Sequence, residues 1–85
     1  MSFSVEVEPP AKKEFARLPP HIQQQIARRL EALEDNPFPI GAKKLERPLV
    51  GLRIRSGNYR VIYTVDIAAQ VVRVKAVGHR KDVYR

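Results

Sequence analysis

Residues 52–65 have the sequence LRIRSGNYRVIYTV, in which apolar and basic side chains alternate up to a short polar turn and a second apolar run follows it. Alternation with a period of two is typical of a β-strand with one buried face, and SGN at residues 56–58 is typical of a hairpin turn. A second turn at residues 66–70 leads into VVRVKAV at residues 71–77. The pattern predicts two hairpins and therefore a three-stranded antiparallel meander.

The N-terminal half contains signals for one strand and two helices. The alternating run FSVEV at residues 3–7 predicts a strand, which Pro9-Pro10 ends. Apolar side chains at helical spacing predict a short helix up to the Pro19-Pro20 break and a second helix from there to Asn36. The two apolar stripes are Ala11, Phe15 and Leu18 in the first helix, and Ile22, Ile26, Leu30 and Leu33 in the second.

These elements predict an α+β fold with the order β-α-α-β-β-β. A loop through Lys43, Lys44 and Glu46 joins the helices to the meander, and Gly78 closes the last strand. We expect an antiparallel sheet with the helix hairpin packed on one face, and a cationic tail over residues 79–85 that has room for one helical turn. Residues 1–85 then form a single domain.

Composition excludes several classes of function. A chain of 85 residues builds one modest core, which leaves no room for a cofactor domain. It has no cysteine, and its two histidines and three aspartates show no metal-ligand spacing, so we expect neither a cofactor nor a bound metal. There is no apolar run of membrane-spanning length and no signal peptide pattern, which predicts a cytoplasmic protein without a membrane partner.

Positive charge is concentrated in the C-terminal half. Residues 1–42 carry five basic and six acidic side chains, whereas residues 43–85 carry eleven basic and three acidic ones. A surface of this kind attracts polyanions, so the expected partner is a nucleic acid or an acidic protein segment.

Alternation gathers the basic side chains on one face of the meander. If the apolar residues of its first strand point at the helices, Arg53 and Arg55 point the other way, and Arg60 joins them across the hairpin. Arg73 and Lys75 can do the same on the last strand. Any one of these is most simply an ordinary solvated charge, but a set without interleaved acids repels itself and therefore favours an anionic ligand.

A cationic surface without metal ligands suits one reaction in particular, the attack of an RNA 2′-OH on its neighbouring phosphodiester. Arginine forks match phosphate oxygens but stay protonated, so they cannot serve as the base. The proton must be moved by Tyr84, His79, a lysine or Glu46, and surrounding cations would favour a Tyr84 phenolate.

The motif RSGNYRVIY at residues 55–63, followed by VGHRKDVY at residues 77–84, resembles the RelE/ParE superfamily of bacterial toxin–antitoxin toxins, on its RelE side. The resemblance covers nearly the whole chain. It implies a ribosome-dependent mRNA endoribonuclease, an mRNA interferase, which cuts message in the ribosomal A site beside ribosomal RNA. It also implies neutralisation by a RelB-like antitoxin, with operator DNA bound only through that antitoxin.

The resemblance also implies roles for individual residues. Arg53 lies where the family commonly has a basic residue of the active face, and Arg55 follows on the same face. Arg60 matches the arginine after the hairpin tyrosine. Arg80 and Tyr84 match the C-terminal arginine and the tyrosine proposed as acid or base.

Three features of the sequence leave questions open. Gly51 occupies a position where a well-studied branch has a catalytic lysine, so Arg53, Arg55 and Lys75 would carry more of the phosphate stabilisation. His79 either orients the phosphate or caps the last strand. Two alternative functions share the hairpin motif: a ParE-like inhibitor of DNA gyrase without nuclease activity, and a non-catalytic nucleic-acid binding module.

Overall fold

The computed structural model describes residues 2–45 and 51–79. Within them, the predicted α+β architecture is confirmed, with two helices and a sheet. In chain order the elements are β1 (Ser4–Val7), α1 (Pro9–Ala16), α2 (Pro20–Asp35), β2 (Lys43–Lys44), β3 (Leu52–Ser56), β4 (Tyr59–Asp66) and β5 (Val71–His79).

The five described strands form one sheet in the order β1-β5-β4-β3-β2. The predicted meander is confirmed, since β3 pairs with β4 and β4 with β5 in antiparallel fashion. The expectation of a wholly antiparallel sheet is wrong at one edge, because β1 pairs in parallel with β5, from Ser4 opposite Val71 to Val7 opposite Val74. A tight turn forces neighbouring strands to be antiparallel, but β1 is joined to the meander through two helices, and a connection of that length permits a parallel pair.

Two further strand boundaries differ from the prediction. Lys43 and Lys44, expected in a loop, form β2 and pair with Arg53 and Leu52 at the other edge of the sheet. Strand β5 continues past Gly78, because His79 pairs with Tyr59. Two lysines carry no apolar alternation, so the sequence held no signal for β2. The predicted helical turn in the tail falls on residues 80–85, which lie outside the described residues.

The helices begin at prolines, and a glutamine side chain links them. Pro9 and Pro20 each occupy the first turn of a helix, where a missing backbone N–H costs no hydrogen bond. Gln23 Nε2 donates to the Phe15 carbonyl at 3.1 Å and to the Ala16 carbonyl at 3.3 Å, at the C-terminal end of α1. The side chain of Gln23 therefore ties the start of α2 to the C-terminal end of α1.

The core lies between the helices and one face of the sheet, here called the helix face. Both predicted apolar stripes contribute to it, through Ala11, Ile26 and Leu33, and the strands contribute Ile54, Val61, Tyr63, Val72, Val74 and Val77. The opposite face, which the helices do not cover, is called the open face.

Among the described residues, Tyr63 is the largest fully buried side chain. Its hydroxyl donates to the Pro37 carbonyl at 2.8 Å and so ties the loop after α2 to the centre of the sheet. Burial raises the pKa of Tyr63 from 10.0 to about 12, although the positive charge of Arg29 acts in the opposite direction. Tyr63 is therefore a structural phenol rather than a candidate for proton transfer.

Candidate functional site

Strand register brings three arginines together on the open face. Arg55 on β3 lies directly opposite Arg60 on β4, and Arg53 lies opposite Ile62. Residues directly opposite each other in an antiparallel pair share a face, with Cβ atoms about 4.5–5.5 Å apart. Arg53, Arg55 and Arg60, here called the arginine cluster, therefore form one basic surface, as the alternation predicted.

Two of these arginines are buried, which the sequence did not indicate. Arg53 is 9% exposed and Arg60 is 8% exposed, whereas Arg55 is open to solvent. Neighbouring Ile62 is only 3% exposed, so the two guanidinium groups lie beside apolar surface. Charge in such surroundings is held at lower dielectric than in water, and its attraction for an anion is correspondingly stronger.

Arg53 and Arg60 each have a buried guanidinium nitrogen without a hydrogen-bond partner among the described residues. In both arginines this nitrogen is Nε, and within the described part of the chain no carboxylate forms an ion pair with either group. Arg60 Nη1 donates a long hydrogen bond to the Tyr59 carbonyl at 3.5 Å. Buried polar atoms are normally paired, so these two donors are candidate contacts for an anion or a water molecule.

Two further basic residues of the open face, both on β5, are paired with acids. Arg73 forms an ion pair with Asp66 at 3.7 Å, and Lys75 Nζ lies 2.8 Å from Oε2 of Glu8. The expectation that these two residues extend an acid-free cationic surface is therefore wrong. The acids were not apparent from the sequence because Glu8, which follows β1, reaches Lys75 only through the parallel pairing of β1 with β5.

His79 lies on the helix face, across the sheet from the arginine cluster. It is paired with Tyr59, whose side chain alternates with that of Arg60 along β4. The two rings make an edge-to-face contact with centroids 5.7 Å apart and an interplanar angle of 81°. This places Tyr59 at the rim of the core and gives His79 a packing partner.

A cleft of about 390 Å³ adjoins this ring pair at the end of α1, and its lining includes Glu14, Arg17, Tyr59 and His79. Glu14 Oε1 accepts a hydrogen bond from the Val77 backbone N–H at 3.0 Å. The Glu14 carboxylate therefore anchors α1 to β5 rather than standing available for chemistry on the open face.

A side chain at Gly51 would strain this fold. Its φ is +116°, and a Cβ atom there would overlap the Tyr63 carbonyl oxygen and crowd the Thr64 methyl group. A lysine at this position would meet the same overlap, so the path of the backbone next to β4 disfavours a basic side chain there.

Three candidates from the sequence, Glu46, Arg80 and Tyr84, lie outside the described residues, so their roles stay predictions.

One hydrogen bond that the sequence did not suggest supports the hairpin: Gln25 Nε2 donates to Ser56 Oγ at 2.5 Å, at the end of β3. Lys43 is a further residue that sequence reasoning missed, since it was placed in a loop.

The described ranges contain no group of three histidine, aspartate or glutamate side chains that could hold a metal ion. Neither α1 nor α2, the helices of those ranges, has the length and apolar character needed to cross a membrane.

Comparison with known proteins agrees with this arrangement. Residues 5–84 match the family described as ParE toxin of type II toxin-antitoxin system. A putative RelE-like toxin protein of Escherichia coli is 34% identical over 88 residues, covering 99% of this chain and 92% of that protein. Toxin RelG of Mycobacterium tuberculosis is 32% identical over 87 residues, covering 100% of this chain and 99% of the toxin.

Solved structures show the same likeness. A chain of the toxin–antitoxin complex RelBE2 from Mycobacterium tuberculosis aligns with a TM-score of 0.84 and 28% identity, covering 94% of this chain and 100% of that one. The isolated E. coli RelE toxin aligns with a TM-score of 0.76 and 27% identity, covering 98% and 92%. The chain therefore belongs to the RelE/ParE superfamily of type II toxin–antitoxin toxins, on its RelE-like side.

Proposed function

We propose that this toxin is a ribosome-dependent mRNA endoribonuclease that inhibits translation without using a metal ion. The observation that carries the proposal is the pair of nearly buried guanidinium groups of Arg53 and Arg60, whose Nε atoms lack partners among the described residues. Together with Arg55, these arginines present planar guanidinium groups, each of which can donate two parallel hydrogen bonds to the oxygens of a phosphate.

The proposed reaction is an internal transfer at phosphorus. The RNA 2′-oxygen attacks the adjacent phosphorus while the bond from phosphorus to the 5′-oxygen of the next nucleotide breaks. The products are a 2′,3′-cyclic phosphate and a 5′-hydroxyl end. A base removes the 2′ proton, an acid protonates the leaving 5′-oxygen, and the arginine cluster stabilises the charge that develops on the phosphoryl oxygens.

The proton transfer is assigned to Tyr84, with Arg80 as a fourth cation at the phosphate, on the strength of the family resemblance. The geometry disfavours two of the other candidates, His79 and Lys75. His79 packs against Tyr59 on the opposite face of the sheet. The ammonium group of Lys75 is engaged by the Glu8 carboxylate.

The test uses purified toxin with bacterial ribosomes programmed with a defined message, and the same message without ribosomes as the control. Cleavage within the A-site codon, with cyclic phosphate and 5′-hydroxyl ends, is the expected result. Replacing a non-bridging oxygen of the scissile phosphate by sulfur should produce no defect that a thiophilic metal rescues. Intact message together with inhibition of gyrase would favour the ParE-like alternative, and binding without cutting would favour the nucleic-acid binding module.

The proposed partner is a RelB-like antitoxin, which is the partner in the toxin–antitoxin complexes of M. tuberculosis RelBE2 and E. coli RelBE. An acidic helical segment of the antitoxin would cover the arginine cluster or displace the tail that contains Tyr84. We further propose that message and ribosomal RNA are bound directly in the cytoplasm, and operator DNA only through the antitoxin. Association with the antitoxin should slow as salt rises, since opposite charges steer the encounter, and a rate that does not respond to salt would contradict this.

A further inference from the structure

Lys43 lies on the open face next to the arginine cluster. In the β2–β3 pair it is directly opposite Arg53, and residues directly opposite each other share a face. Its neighbour Lys44 is opposite Leu52, which packs against the core on the helix face. Two adjacent lysines of the same charge thus point to opposite sides of the sheet.

Charge is distributed unevenly across the open face, and Lys43 lies at its cationic edge. At the β1 edge, Glu8 pairs with Lys75, and Asp66 on β4 pairs with Arg73. At the β2 edge, Lys43 is exposed and forms no ion pair with any acid of residues 2–45 and 51–79. An extended polyanion that contacts the arginine cluster is therefore drawn toward β2 and away from β1.

The spacing of the strands separates Lys43 from the centre of the cluster. Strands β2 and β4 lie on either side of β3, so their backbones are about 10 Å apart, twice the usual distance between neighbouring strands. A phosphate held by Arg60 on β4 is therefore distinct from one held by Lys43. Gly51, which immediately precedes β3, has no side chain that could contact either phosphate.

We propose that Lys43 is the main contact of a second phosphate subsite, which binds the phosphodiester of the message next to the scissile one. This inference rests on the proposed function and deepens it. An ammonium group on a flexible stem binds phosphate as a point charge without fixing its orientation, whereas the arginine forks do fix it. Lys43 therefore contributes to holding the RNA strand and not to the chemical step.

The first test compares Lys43→Ala with Lys44→Ala, a control of the same residue type on the opposite face. With programmed ribosomes in excess, Lys43→Ala should raise the ribosome concentration that gives half the maximal cleavage rate about threefold to tenfold, the scale of one exposed charged contact. The maximal single-turnover rate should not change. Lys43→Arg should restore binding, and Lys44→Ala should behave as the unaltered toxin does.

The second test distinguishes a message phosphate from a phosphate of ribosomal RNA. Two messages are prepared, each with an uncharged methylphosphonate in place of one of the two phosphates that flank the scissile phosphate. Binding and cleavage of each message are measured with the unaltered toxin and with Lys43→Ala. If Lys43 contacts the message, the methylphosphonate at one of these positions weakens binding of the unaltered toxin but has no further effect on Lys43→Ala. Additive losses would assign the contact to ribosomal RNA and overturn the proposal.

The outcomes separate this inference from the function beneath it. Cleavage by the unaltered toxin with equal behaviour of Lys43→Ala and Lys44→Ala overturns the subsite alone. A lower maximal rate with an unchanged half-saturating concentration also overturns it, since Lys43 would then act in the chemical step. A toxin that cleaves no message under any condition overturns both.

Discussion

Arg55 and Arg60 lie directly opposite each other across the β3–β4 hairpin, on the face that the helices leave open. Two like charges in directly opposite positions destabilise an antiparallel pair, because the groups are close and share no counterion. Neither arginine has an acidic partner among the described residues. The fold therefore holds together a repulsive pair, which a bound phosphate would neutralise.

Removing the exposed member of this pair should stabilise the free toxin. In low salt, Arg55→Thr is expected to raise the melting temperature by about 2–8 °C, which corresponds to relief of roughly 0.5–1 kcal/mol of repulsion. Inorganic phosphate should reduce the difference in melting temperature between the two proteins, because it binds Arg55 and Arg60 in the unaltered toxin and screens their repulsion. Thermal unfolding followed by circular dichroism measures both effects.

The matched control is Lys75→Thr, which removes a cation from the same face that is already paired with Glu8. It should leave the melting temperature unchanged or lower it slightly. A lower melting temperature for Arg55→Thr than for the unaltered toxin would show that packing of the Arg55 side chain outweighs its repulsion with Arg60.

Two glycines with positive φ provide a test of the backbone constraint at the edge of the site. Gly51→Ala should lower the free energy of unfolding by about 2–4 kcal/mol, because its Cβ would overlap the Tyr63 carbonyl as well as strain the backbone. Gly41 has a φ of +95°, but a Cβ added there would meet no atom within 4 Å, so Gly41→Ala should cost only about 1–2 kcal/mol. Urea unfolding measures the free energy of unfolding of both variants. Equal losses would mean that backbone strain alone, without the overlap with Tyr63, accounts for the effect of Gly51→Ala.

The sequence was sufficient to predict most of the fold, because the local periodicity of apolar residues indicates the meander and both helices. Alternation over β3 and β4 and the apolar stripe of α2 each mark their element without reference to the rest of the chain. The parallel pairing of edge strand β1 and the two-residue strand β2 depend on contacts between distant segments. Local patterns do not encode such pairings, which is why both were missed.

The same distinction applies to the site. The shared face of Arg53, Arg55 and Arg60 follows from alternation, but the burial of two of them does not. Neutralisation of Lys75 required the parallel placement of β1 against β5. The position of Lys43 beside Arg53 likewise depends on β2, for which the sequence carries no signal.

The buried phenol of Tyr63 makes stability depend on pH in the alkaline range. Its pKa is about 12 in the folded protein and 10.0 for a solvated phenol, so the unfolded chain loses this proton first as pH rises. The stabilising contribution is complete below pH 10, declines above it and is lost by about pH 12, up to a total of about 3 kcal/mol. Tyr63→Phe removes the hydrogen bond to Pro37 and should cost about 1 kcal/mol at neutral pH.

The measurement is urea unfolding of both proteins at pH values from about 7 to about 12, a range set by the two pKa values. The stability difference between the unaltered toxin and Tyr63→Phe should shrink, and then change sign, as pH rises through this range. A constant difference would mean that Tyr63 keeps an ordinary pKa in the folded state.

His79→Phe tests whether the imidazole takes part in proton transfer. The substitution keeps an aromatic ring against Tyr59 and removes both ring nitrogens. Since His79 lies across the sheet from the arginine cluster, we expect single-turnover cleavage on programmed ribosomes to stay near the rate of the unaltered toxin, with the same pH profile. Loss of one limb of that profile would instead identify His79 as the acid or base.

The last prediction separates phosphate stabilisation from proton transfer. Arg60→Ala should lower the cleavage rate by on the order of 10² or more, the scale for loss of one oriented charge donor, and Arg60→Lys should restore only part of it because a point charge lacks the fork. Tyr84→Phe deletes one hydroxyl, so binding to the ribosome should persist while single-turnover cleavage falls by roughly 10²–10⁴. Cleavage by Tyr84→Phe at the rate of the unaltered toxin would contradict its proposed role and make a lysine or Glu46 the next residue to replace.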